Sequence, residues 1–144
     1  PTIISKRLNQ AIGAVKLGQW DQVGYLILAN PWLAEMTDVT SNQFLLHKLC
    51  YYGAGTISET NDNNEPAPKK LNSDLIKASS TAIKKFDNLG NLPLHCACES
   101  GNKDMAVRLA KLFPEGASVR NEDGQLPRKS AQSFFHFVPS VLYS

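Results

Sequence analysis

The sequence predicts an all-α protein in which helix–turn–helix repeats stack into an array. Two observations support this fold class. Apolar residues recur at three-to-four spacing in short stretches that end at Gly or Pro. Landmark residues also recur in register: Gly124 and Pro127 follow Gly90 and Pro93 by 34 positions, a period typical of helical repeats. The 144 residues are enough for one domain with a continuous core.

The same register extends toward the N-terminus. His47 and Gly53 precede His95 and Gly101 by 48 positions, which is one repeat plus an insertion of roughly 15 residues. Gly18 precedes Gly101 by 83 positions. We therefore interpret the chain as a single domain with three fairly complete repeats and a partial fourth. The approximate bounds are 5–39, 40–86, 87–120 and 121–138.

The most specific pattern, D-x-x-G-x-x-P-L-H-x-A-x-x-x-G over residues 87–101, resembles the first half of an ankyrin repeat. Leu92 stands where that family has Thr. The resemblance covers about residues 5–137 and implies an ankyrin-type solenoid of stacked helix–turn–helix repeats with short turn or hairpin connections. The first and fourth repeats have residues 10–12 and 128–129 in place of the motif, as expected for capping repeats with polar outer faces.

The first repeat is predicted to contain helices at 4–17 and 20–29, where apolar residues keep helical spacing. Gly18 separates the two helices, because Gly is common just past a helix C-terminus. Asn30 and Pro31 end the second, since proline cannot continue the hydrogen-bond ladder.

The second repeat is predicted to contain helices at 42–52 and from about Ser73, with Ser73 as the N-cap. Residues 59–70 are rich in Asn, Pro and charge, so we expect a flexible insertion over about 56–71. That insertion is either a tolerated surface loop or a segment that orders only on contact with a partner.

The third repeat is predicted to contain helices at 94–100 and 103–113. A tight turn at 121–124 then leads into a last helix at about 127–134. The apolar tail, residues 133–144, either seals the open end of the array or anchors in a partner, since buried aromatic residues carry much interface energy.

The histidines and cysteines are interpreted as structural. The ankyrin resemblance implies that His47 and His95 tie the first helix of a repeat to the adjacent turn, and no carboxylate or nucleophile recurs beside them for acid–base catalysis. Cys50, Cys96 and Cys98 are expected to pack as small apolar residues. The alternative is a metal site using His95, Cys96 and Cys98, but a second ligand pair at zinc-site spacing is missing.

Composition favours a non-catalytic protein of a reducing compartment. The sequence has no phosphate-binding glycine loop and no nucleophile elbow, so we expect no enzyme and no cofactor. The net charge of +2 is too small to indicate a nucleic-acid partner, and no apolar run approaches the length of a membrane span. We expect an intracellular location, in the cytoplasm or inside an organelle.

The resemblance implies a protein–protein interaction module that binds through turn tips and the exposed side of the first helices. Tyr51 and Tyr52 are the leading candidates, because aromatic side chains offer rigid contact area with a polar end; one of the two is expected in the core. The candidate set is Tyr51, Tyr52, Asn88, Leu89, Asn91, Glu99, Ser100, Glu122, Asp123 and Gln125.

Two other function classes remain. The chain is alternatively a structural accessory subunit held permanently in a larger complex, organellar or membrane-associated, with extra contacts through residues 59–70 and 134–143. Such a subunit should expose a large apolar patch when alone. The third class, a small hydrolase or redox protein using Cys and His, requires a bound metal or a perturbed thiol.

Overall fold

The computed structural model describes residues 2–55 and 65–127, and these residues form three consecutive pairs of α-helices. Each pair is followed by a short 3-10 helix. Within the described ranges the only β-structure is an isolated bridge between Thr37 and Phe44. The α-helices are α1 (Ile3–Lys16), α2 (Trp20–Ala29), α3 (Leu45–Tyr52), α4 (Lys69–Ala78), α5 (Pro93–Ser100) and α6 (Lys103–Leu112). The 3-10 helices are Pro31–Glu35, Ser80–Lys84 and Pro114–Ser118.

The first helices of the three pairs form an inner row. α1 packs on α3 and α3 packs on α5, while α2, α4 and α6 each pack against the first helix of their own pair. One continuous cluster of buried apolar side chains runs through all three pairs. Leu46 and Leu49 are fully buried within it, and each buried leucine contributes about 1.5–3 kcal/mol relative to an exposed one.

Local sequence explains where the helices begin and end. The Thr2 hydroxyl accepts a hydrogen bond from the Ser5 backbone N–H at the start of α1, 3.2 Å away. Gly101, just past α5, has a φ of 79°, a left-handed conformation that favours glycine. Asn102 then caps α6 by accepting from the Met105 N–H, at 3.2 Å.

Most of the predicted helices are confirmed. α2 has the predicted bounds, and α1, α5 and α6 agree with prediction to within one residue at each end. α3 begins at Leu45, three residues later than predicted, because Phe44 pairs with Thr37 in the bridge. The 3-10 helices were not predicted, since their five residues are too short to show periodicity.

The prediction for the start of α4 is wrong. α4 begins at Lys69, so Ser73 lies inside the helix and Pro68 stands at the N-cap position. Leu71 is buried in the first turn, and its burial stabilises helix over residues 69–71, which were predicted to be flexible. The remaining part of the predicted insertion, residues 56–64, lies outside the described residues. The predicted last helix beyond Pro127 and the apolar tail, residues 133–144, also lie outside them.

Candidate protein-binding surface

The turns at residues 87–91 and 121–125 are each held by the side chain at their first position. The Asp87 carboxylate accepts from the backbone N–H groups of Leu89 and Asn91, both at 2.9 Å. Asn121 does the same for the next turn, accepting from the N–H groups two and four residues later at 3.0 and 2.9 Å. Burial raises the pKa of Asp87, but its hydrogen bonds outweigh this effect and the net pKa is lowered. These hydrogen bonds fix the backbone conformation of both turns.

Backbone hydrogen bonds join neighbouring turns into one edge. The Asn88 N–H donates to the Ser41 carbonyl at 2.9 Å, and the Asn88 amide donates to the Thr40 carbonyl at 2.8 Å. The Glu122 N–H donates to the Leu89 carbonyl at 3.0 Å. We call residues 38–43, 87–91 and 121–125 together the turn edge.

Side chains reinforce the same joints at equivalent positions. Gln43 donates to the Asp87 carboxylate at 3.0 Å, and Asn121 donates to the Asn91 side-chain oxygen at 3.0 Å. Asn91 follows Gln43 by 48 positions, which is the offset that relates the two histidines. The side-chain contact between the second and third turns therefore lies at the same positions as the contact between the first and second turns.

His47 binds the start of α3 to the following turn. Its Nδ1 accepts from the Phe44 N–H at 3.2 Å, so the ring proton is on Nε2. That nitrogen lies 3.0 Å from the Lys85 carbonyl and 3.1 Å from the Asn91 carbonyl, to which it donates. Burial lowers the pKa of His47, which keeps the ring neutral.

His95 makes the same connection one repeat later. Its Nδ1 accepts from the Leu92 N–H at 3.0 Å, and Nε2 donates to the carbonyls of Val119, at 3.0 Å, and Gln125, at 3.2 Å. Burial again lowers the pKa. The predicted structural role of His47 and His95 is confirmed, because both ring nitrogens of each histidine bind backbone groups of the fold.

The three cysteines are buried in the core, as predicted. Burial raises the pKa of the Cys50 and Cys96 thiols well above their usual value and that of Cys98 to about 12. A thiol that stays protonated is a poor metal ligand and nucleophile. Residues 2–55 and 65–127 contain no cluster of three or more His, Cys, Asp or Glu side chains placed to hold a metal ion.

Lys48 is a buried lysine that the sequence analysis did not identify. It is 4% exposed, and its Nζ lies 3.1 Å from the Asp38 carboxylate and donates to the Gln43 side-chain oxygen at 3.1 Å. Because Gln43 also donates to Asp87, these four side chains form a polar chain beneath the turn edge. Its burial could have been suspected from the sequence, because Lys48 lies in an otherwise apolar helix face. It also stands 48 positions before Cys96, which is expected in the core.

The candidate contact residues fall into two groups. The exposed group is Tyr51, Asn88, Leu89, Glu99, Glu122, Asp123 and Gln125, and the partly buried group is Tyr52, Asn91 and Ser100.

The partly buried candidates already have partners within the fold. Tyr52 packs against the core, with Tyr51 edge-on to it at a ring-centroid distance of 5.1 Å, so Tyr52 is the tyrosine that faces the core. Asn91 accepts from Asn121, and the Ser100 hydroxyl donates to the Cys50 carbonyl at 2.9 Å.

Exposed apolar side chains lie on the turn edge itself. Leu89 is 61% exposed and Val39 is 95% exposed. Val39 was missed by the sequence analysis, although a count could have found it: His47 follows Asp38 by nine positions, while His95 follows Asp87 by eight. The first turn therefore has one extra residue, and Val39, directly after Asp38, is exposed like Asn88 and Glu122 at the same place in the other two turns.

Comparison with known proteins shows the fold. No family model and no curated protein sequence matches the chain. A solved structure, the yeast ribosomal protein Rps3 in complex with its chaperone Yar1, contains a similar chain at a TM-score of 0.65 and 16% identity, over 95% of this chain and 89% of that one. The similar chain is Yar1, an ankyrin-repeat protein. The predicted ankyrin-type solenoid is thereby confirmed.

Among residues 2–55 and 65–127, no helix combines the length and the apolar character needed to cross a bilayer.

Proposed function

We propose that this protein is a non-catalytic interaction module that binds another protein through the turn edge and the exposed side of α1, α3 and α5. The observation that carries the proposal is the turn edge, where hydrogen bonds fix the backbone and leave Leu89 and Val39 exposed. A surface that is already ordered loses little conformational entropy when it binds. Exposed apolar side chains on such a frame offer a partner apolar area to bury.

Tyr51 extends this surface from the turn edge onto the inner helices. It is 41% exposed, and Tyr52 supports its ring from the core side. Glu99 occupies the position on α5 that Tyr51 occupies on α3, 48 residues earlier, and it is also exposed. An aromatic side chain beside a charged one gives a partner both apolar area and a fixed polar contact.

The comparison supports the same class of function. Yar1 is described as the chaperone of a ribosomal protein and was solved in complex with it, so this fold serves protein binding in at least that case. We propose a protein rather than a nucleic acid as the partner, and an intracellular, reducing location that keeps the three cysteines as free thiols.

A permanent accessory subunit is the second candidate. One observation favours it: Tyr25 and Leu28 on α2 are 68% and 82% exposed, and Trp32 follows at 36%. Exposed apolar groups so close in sequence suit a surface that a larger assembly covers.

Site-specific photo-crosslinking in native extract separates the two. A benzophenone amino acid replaces Leu89 in one variant and Leu28 in another. We expect a discrete partner band from position 89 that Tyr51→Ala weakens, with little product from position 28. The proposal is wrong if position 89 gives no partner band. Strong products from position 28, with all of the protein in a large complex by native sizing, would instead establish the accessory subunit.

A further inference from the structure

The second helices of two neighbouring pairs enclose a groove that takes no part in the turn edge. It lies between α4 and α6 and has a volume of about 530 Å³. Ile76, Val107 and Leu112 supply its apolar lining. Ile76 is buried, Val107 is half-buried and Leu112 is 57% exposed. Apolar side chains therefore line the groove from its buried base to its solvent-exposed edge.

The groove has the length of a short helix. Its lining residues on α6 run from Asp104 to Leu112, which corresponds to roughly 12 Å at 1.5 Å per residue. About two turns of a bound helix match that length. An apolar trough of this size accepts side chains spaced three or four residues apart on an amphipathic helix.

The charge on the rim is positive. Lys77 and Lys111 line the groove and are exposed, and neither has a hydrogen-bond or ion-pair partner among residues 2–55 and 65–127. Arg108 donates to the Asp104 carboxylate at 2.8 Å. Asn72 donates to the same oxygen at 2.9 Å. The one acidic side chain of the groove is thus already compensated, and two lysine charges remain.

The two lysines hold equivalent places. Lys111 follows Lys77 by 34 positions, and each lies in the last turn of its helix. A cation there interacts favourably with the helix dipole. Lys16, in the last turn of α1, has the same favourable interaction with its helix dipole but does not line the groove. The helix dipole therefore explains why a lysine lies at the end of each of these helices, but it does not explain why Lys77 and Lys111 flank an apolar groove.

We propose that the groove between α4 and α6 docks an acidic amphipathic helical segment of a partner protein. Apolar residues of that segment fill the trough over Ile76 and Val107, and its Asp or Glu side chains pair with Lys77 and Lys111. This surface is separate from the turn edge, so the inference goes beyond the proposed function and does not depend on it.

The test uses the full chain and two synthetic probes. One is a fluorescein-labelled 14-residue amphipathic helix with a leucine stripe and Glu on both flanks, and the other has Lys in place of every Glu. Fluorescence anisotropy measures both affinities. We expect the acidic peptide to bind roughly tenfold more tightly than the basic one, and the double variant Lys77→Glu/Lys111→Glu to weaken binding of the acidic peptide roughly tenfold, since each exposed ion pair contributes only modestly to affinity. We expect Leu112→Asp to weaken it as well.

Matched controls isolate the groove from other effects. Lys16→Glu removes the same helix-dipole interaction outside the groove and should change the affinity less than twofold. Leu89→Asp, on the turn edge, should leave the affinity unchanged. Urea unfolding of each variant establishes that it is folded.

Four outcomes overturn the inference. They are equal affinity for both peptides, no effect of the double reversal, an equal loss in Lys16→Glu, or a self-associated chain that the double reversal converts to monomer. The last would make a second copy the occupant of the groove.

Discussion

Removing the His95 ring should cost the fold several kcal/mol, because the ring completes hydrogen bonds that water cannot easily replace. The side chain is 1% exposed. In His95→Ala the buried Leu92 N–H loses its acceptor, which costs about 1–3 kcal/mol. The carbonyls of Val119 and Gln125 lose one shared donor but are only partly buried, so we add about 1 kcal/mol for them. The vacated volume adds about 1 kcal/mol more.

The expected loss in the free energy of unfolding is therefore about 3–5 kcal/mol. Domains of this size are typically stable by about 5–15 kcal/mol, so the variant should fold but with a clearly lower urea midpoint. Urea titration at pH 7.5, followed by far-ultraviolet circular dichroism, measures the difference. Because solenoid repeats can unfold separately, near-ultraviolet absorption should be recorded in parallel to check that the transitions coincide.

Glu122→Ala is the matched control for the same turn. Its side chain is exposed, and the backbone hydrogen bond from its N–H to the Leu89 carbonyl remains, so we expect a change within about 0.5 kcal/mol. If His95→Ala were no more destabilising than this control, the ring would not be a net stabilising link between the repeats.

Two further predictions concern the same joints. Burial lowers the folded-state pKa of His47 and His95 below the ordinary 6.5, so their contribution is complete above pH 6.5 and is lost as the pH falls through the folded pKa values. The urea midpoint should decrease from pH 7.5 to 5.5, and less so in His95→Ala; a midpoint independent of pH would contradict this. Gly90→Ala and Gly124→Ala both place alanine at a positive φ, 73° and 75°, but only at Gly90 does the new Cβ lie 3.0 Å from a backbone nitrogen, that of Glu122. Both variants should lose about 1–2 kcal/mol of unfolding free energy from backbone strain. Urea unfolding should show a measurably larger loss for Gly90→Ala, and equal losses would mean that the turn at Gly90 relaxes to accommodate the new Cβ.

The helix bounds could be predicted from the sequence where glycine or proline marks both ends of a helix. α2 lies between Gly18 and Asn30-Pro31 and has the predicted bounds. α4 follows a polar, proline-rich stretch, so its start was placed too late. Pro68 was the useful signal, since proline is favoured next to the first turn of a helix.

Side-chain pairing across the repeats was harder to predict. The histidine role follows from a local motif, but the joint between Gln43 and Asp87 spans 44 positions, and no local pattern reveals it. The burial of Lys48 depends on Asp38 and Gln43 lying beside it in space, which composition and periodicity do not encode. The groove likewise requires two helices whose separation only the folded chain defines.

The first helix pair lacks the histidine joint that connects the other repeats. Ile12, which is buried, stands 83 positions before His95, at the equivalent place. α1 packs on α3, and both helices contribute buried apolar side chains to the continuous core. Apolar contact has no directional preference, whereas a ring that donates to two carbonyls and accepts from a third group fixes an angle. We therefore expect the angle between α1 and α3 to vary more readily than the angle between α3 and α5, with the hydrogen bond from the Trp20 indole to the Glu65 carbonyl, at 2.8 Å, as a directional link from the first helix pair to the second repeat.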